Sequence, residues 1–106
     1  MILHTVNKSV FDNNALGDCL RVVTSTDVIL LIENGVYGAL NKPQSEPGYV
    51  ERIQALSADG TGFYVLQADC QARGLQDRAL LPAFKITDDA GFVDLASAAS
   101  AIQSWY

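Results

Sequence analysis

The chain has 106 residues, 49% hydrophobic and 18% charged, the balance of a single globular domain over 1–106 and not of a disordered chain. Twelve acidic residues against seven scattered basic ones leave a net charge of -5, which disfavours direct docking on nucleic-acid phosphates. The longest apolar run, Val28–Ile32, is far short of the ~20 residues of a membrane helix, and Met1-Ile2-Leu3-His4 lacks the basic-then-apolar pattern of a secretion signal.

Ile2–Val6 is predicted as a short strand followed by the polar turn Asn7-Lys8-Ser9. Ser9 with Asp12 resembles a capping box, with Asn13 or Asn14 as alternative caps. Phe11, Ala15, Leu16, Cys19, Leu20 and Val23 recur at helical spacing and predict a first helix with one buried stripe, broken by Thr24-Ser25-Thr26-Asp27. Val28–Ile32 is wholly apolar, as in a parallel strand covered on both faces. Glu33-Asn34-Gly35 turns the chain, Val36–Leu40 begins a short helix, and Lys42–Gly48, with two prolines and a glycine, reads as a mobile loop.

Tyr49, Ile53 and Leu56 predict another short helix. Asp59–Gly62 is a turn and Phe63–Leu66 a strand, while Ala68–Arg73 is a short helix closed by Gly74. Phe84–Thr87 is an edge-like strand after Pro82. Asp88 or Asp89 caps a last helix that carries Val93, Leu95, Ala96, Ala99 and Ile102. The order β-α-β-α-(α)-β-α-β-α predicts an α/β fold, a small parallel sheet with helices on both faces.

Chemistry-bearing residues are few. Gly60-Thr61-Gly62 precedes a strand, the reverse of a dinucleotide loop, and the Asp88/Asp89 pair is a helix cap. No metal or cofactor set is recognised. His4 lies in an apolar strand, where a lone histidine is usually a satisfied core or interface residue. Cys70, beside Asp69 and Arg73, reads as a small side chain covering the sheet. Cys19 is the one candidate catalytic residue, yet the helical register puts it on the buried stripe with Asp18 adjacent and only Arg21 to offset it. It also lies in a helix that runs away from the carboxyl ends of the strands, where ligands of such sheets bind. On physical grounds it is a structural cysteine. Two distant cysteines and no export signal point to reduced thiols in a cytoplasmic protein.

Four segments together resemble the DsrH/TusB family: ILHTVNKS (Ile2–Ser9), VILLIENGVYGAL (Val28–Leu40), ARGL (Ala72–Leu75), and DDAGFVDL with QSWY at the end (Asp88–Leu95, Gln103–Tyr106). The resemblance implies a three-layer α/β/α domain of the DsrE/DsrF/DsrH type with a mainly parallel central sheet. It implies assembly with a DsrE-like (TusD) and a DsrF-like (TusC) subunit into a heterohexamer, and persulfide transfer on to a downstream acceptor protein. In one branch the sulfur serves 2-thiouridine in tRNA, in the other sulfur oxidation with dissimilatory sulfite reductase. Cys19 matches the position of a first-helix cysteine in the DsrH branch, which makes it a possible persulfide carrier beside a mainly assembling role. Two features depart from the family: Cys70 stands where an aliphatic residue is usual, and the Lys42–Gly48 loop looks longer. The apolar, aromatic C-terminus (Ile102, Trp105, Tyr106) suits either a subunit contact or a helix end packed on its own core. The rival reading is a small α/β binding module using Asn7, Lys8, Glu33 and Asn34 at the strand ends.

Overall fold

The computed structural model describes residues 1–11, 13–41 and 47–106. Five strands, β1 (Ile2–Val6), β2 (Val28–Leu31), β3 (Gly62–Leu66), β4 (Phe84–Thr87) and β5 (Ala101–Trp105), form one sheet in the order β4-β3-β2-β1-β5. All four pairings are parallel. Helices α1 (Ala15–Val22), α2 (Pro47–Ala58), α3 (Gln67–Ala72) and α4 (Asp89–Ala98) connect the strands, and a 3-10 turn over Glu33–Ala39 leads from β2 towards α2.

The register explains the layers. His4, Ile29, Phe63 and Phe84 lie in one row across the sheet, and Val6, Leu31 and Val65 in the next. This face carries the main core, in which Leu16, Cys19 and Leu20 of α1, Ile53 and Leu56 of α2, and Cys70 of α3 pack on those strand residues. Phe63 and Phe84 meet edge to face at 5.3 Å between centroids, a favoured arrangement for two aromatic rings. The chain steps in one direction from β1 to β4 and then returns past β1 to place β5. A right-handed crossover in that reversed direction puts α4 on the opposite face, where Leu3 and Leu30 are fully buried. The result is the three-layer α/β/α domain with a parallel sheet. Its α4 layer is thin, with no fully buried residue.

Several local expectations hold. Gly74 closes α3 at φ +68°, and Leu75 N–H donates to Cys70 O, the helix end that glycine permits. Asp88 caps α4 by accepting from Gly91 N–H at 2.8 Å. Tyr49, Ile53 and Leu56 do lie in a helix, α2, which begins at Pro47, the position where proline's missing N–H costs nothing.

Others are corrected. The segment after Ala98 is a strand: Ala101–Trp105 pairs with Ile2–Val6, so the last helix ends before Ile102. Helical periodicity ran on through helix-favouring alanines, and pairing with β1 overrode that propensity. Helix α1 begins at Ala15, and Phe11, expected on its buried stripe, is 62% exposed. Ser9 caps nothing helical. Its hydroxyl accepts from Phe11 N–H, while Asn13 Oδ1 accepts from Ala15 N–H at the helix start. Asp12 and most of the expected Lys42–Gly48 loop lie outside the described residues.

Candidate functional site

Cys19 sits one turn into α1 and is completely buried against the sheet. Burial, and secondarily the nearby negative charge of Asp27, push its thiol up from 9.0 to about 12. At neutral pH it stays protonated, and the thiol is a poor nucleophile. Cys70 is buried as well. Its thiol is raised by burial and by Asp69, with Arg73 acting in the other direction. Neither sulfur is an activated nucleophile in this conformation.

Asp27, the residue just before β2, organises the surroundings of Cys19. Its carboxylate is buried and accepts from Ile2 N–H at 3.0 Å and Thr24 N–H at 3.1 Å. It lies 3.2 Å from His4 Nε2. Burial alone would raise this carboxyl, but the hydrogen bonds from Ile2, Thr24 and His4 outweigh it and hold the pKa below 3.8. On the other side of the imidazole, Trp105 Nε1 is 3.1 Å from His4 Nδ1. An indole nitrogen can only donate, so Nδ1 is the acceptor and the His4 proton resides on Nε2, facing Asp27. A Trp105–His4–Asp27 chain therefore links β5, β1 and the start of β2. His4 and Asp27 are buried and Trp105 is half-buried, and both imidazole nitrogens have partners, as those of a core histidine should.

The electrostatic influence of Asp27 also locates Cys19. Asp27 stands at the amino end of β2, so the thiol lies towards the edge opposite the carboxyl ends of the strands. Ligands of open parallel sheets bind at the carboxyl edge. Sequence reasoning found Cys19 and His4 but treated Asp27 only as a helix breaker and did not connect Trp105 with His4. The one available signal was an acidic residue set directly against a wholly apolar strand.

At the carboxyl edge, Glu33 and Asn34 are already engaged. Glu33 N–H donates to Asp69 Oδ2 at 2.7 Å, and Arg73 Nε donates to Asn34 Oδ1 at 2.9 Å. Arg73 also lies 3.8 Å from Asp69 Oδ1. These bonds hold the 3-10 turn to α3 and secure Glu33 at φ +49°, a conformation disfavoured for a residue with a Cβ. Gly35 packs so tightly that a Cβ would stand 2.0 Å from Val6 O. Asn7 Oδ1 is buried with no hydrogen-bond partner among the described residues, and Lys8 is exposed. Among the described residues no group of three or more His, Cys, Asp or Glu side chains could hold a metal, and no helix is long and apolar enough to cross a membrane.

No curated protein matches the chain. Among solved structures it is similar to the crystal structure of the ychN protein from E. coli, with a TM-score of 0.82 over 97% of each chain and 16% sequence identity. That likeness establishes the fold. The family model described as DsrH like protein matches residues 8–101. With nearly the whole domain inside that match, the chain belongs to the DsrH-like family.

Proposed function

We propose that this protein is a subunit of a sulfur-relay complex, with an assembly role foremost and Cys19 as a secondary persulfide carrier. Family membership over residues 8–101 carries the reading. The buried, unactivated thiols fit a subunit that does little chemistry alone. The partners are a DsrE-like and a DsrF-like subunit, joined in a heterohexamer with two copies of each chain, in the cytoplasm.

In this reading Cys19 accepts sulfur only after a rearrangement of α1 exposes it. Its thiolate then attacks the outer sulfur of a donor cysteine persulfide. The donor's S–S bond breaks, its thiolate leaves, and the persulfide passes to Cys19 with no net oxidation. Genes for dissimilatory sulfite reductase beside this one would place it in sulfur oxidation, and their absence would favour tRNA 2-thiolation.

Co-expression with the two partners tests the assembly. A stable complex of all three chains is expected, and failure of either partner to bind overturns the proposal. Persulfide labelling with mass spectrometry then tests the carrier role. An unlabelled Cys19 beside a labelled partner cysteine leaves assembly alone.

The rival reading, a binding module working through Asn7, Lys8, Glu33 and Asn34, is weakened because Asn34 and the backbone of Glu33 are engaged with Arg73 and Asp69.

A further inference from the structure

A cavity of about 590 Å³ opens between α1, the segment leading into it, the 3-10 turn and the start of α2. That volume suits a small organic molecule and is far larger than a simple ion requires. Leu20 and Leu40 line it together with Tyr37 and Tyr49. The Tyr49 hydroxyl is turned inward and donates to Gly38 O, which leaves its ring as the surface offered.

Arg21 and Arg52 stand in the same wall. Arg52 donates from Nη2 to Leu20 O at 3.3 Å, which steadies the guanidinium across α1. Among the described residues no carboxylate lies within ion-pair distance of it. Arg21 has only the exposed Asp18 at 3.3 Å, a pairing of little strength in water. In a chain of net charge -5, two guanidiniums that carry only this one exposed ion pair among the described residues, set beside apolar and aromatic walls, make a local preference for negative charge.

We propose that this cavity binds a small organic anion, with its carboxylate, sulfonate or phosphate head on Arg52 and Arg21 and a flat apolar body against Tyr37, Leu20 and Leu40. Cys19 is on the same helix but faces the sheet and does not line the cavity. The site stands independently of any sulfur relay.

Three glycines, Gly17, Gly38 and Gly48, line the cavity, whereas Gly60, Gly74 and Gly91 lie outside it. Their amide signals fall in a sparsely populated part of a proton–nitrogen correlation spectrum. The full chain is titrated with 4-phenylbutyrate, with neutral 4-phenylbutyramide and acetate as comparators. Saturable shifts at Gly17, Gly38 and Gly48 are expected, with the other three unmoved. The amide should bind at least about fivefold more weakly, and acetate should not saturate.

Arg52→Gln removes the charge and should weaken phenylbutyrate by about five- to tenfold. The exposed Arg21→Gln should act in the same direction with the spectrum elsewhere unchanged. The proposal is overturned by equal binding of acid and amide, or by shifts spread equally over all six glycines. It is also overturned by absence of saturation up to about 10 mM, or by wild-type affinity in both variants.

Discussion

The indole nitrogen of Trp105 lies 3.1 Å from Nδ1 of His4, so the one tryptophan of the chain fixes the tautomer of its one histidine. The proton this forces onto Nε2 meets the Asp27 carboxylate. Side chains far apart in the sequence thus complete one polar chain, buried at His4 and Asp27, next to the main core.

Trp105→Phe keeps a ring in place but removes the donor. His4 Nδ1 is then left without its partner, at a cost of about 1–2 kcal/mol. Urea unfolding followed by circular dichroism should show the loss. In a double-mutant cycle with His4→Phe, the two substitutions should couple by at least about 0.5 kcal/mol. Strict additivity would mean that the hydrogen bond contributes nothing.

Asp27→Asn replaces an acceptor-only group with one that presents a donor towards Ile2 N–H, Thr24 N–H or His4. We expect a loss of about 2–4 kcal/mol at pH 7, read from urea midpoints. The pH dependence has a definite sign. The folded-state pKa of Asp27 is held below 3.8, so its stabilisation is fully present above that value. It is lost as pH falls from there through the folded pKa. Between pH 5 and the acid transition the wild type should therefore lose stability more steeply than the variant. Parallel curves would contradict this.

The thiols should be silent towards a disulfide reagent such as DTNB in the folded, isolated protein at neutral pH. Both are buried, and Cys19 is displaced to about 12. Two thiols per chain should react once denaturant is added, at least about 100-fold faster. A rapidly reacting thiol under native conditions would show that α1 opens without a partner.

Two glycines should respond oppositely to alanine. At Gly35 the new Cβ would collide with the backbone oxygen of Val6, and we expect a loss of at least about 3 kcal/mol or failure to fold. At Gly17, inside α1, nothing lies within 4 Å of the added Cβ, and alanine should stabilise by about 0.5–1 kcal/mol. Melting temperatures of the two variants provide the comparison.

The sheet was readable in the sequence wherever burial alone dictates the pattern. Val28–Ile32 is apolar throughout because β2 is covered on both sides, and Cys19 falls in register with Leu16 and Leu20 on the stripe that faces the strands. Strand β5 was not readable. Ile2–Val6 supplies its hydrogen-bonding partner from the far end of the chain, and its residues are mostly exposed, so no alternation marks it. The role of Asp27 was hidden for a related reason. Three of its donors, Ile2 N–H, Thr24 N–H and His4 Nε2, are brought together only when β1 pairs with β2.

The placement of β5 beside β1 also sets an order of events in folding. During synthesis the β1 edge that will receive Ala101–Trp105 carries open backbone donors and acceptors while β2, β3 and β4 are assembling. Loop closure across nearly the entire chain is the slowest kind of contact to form. The growing polypeptide therefore exposes a strand-pairing template until Ala101–Trp105 is available to cover it, and a chain cut after Ala98 should aggregate through that uncovered edge.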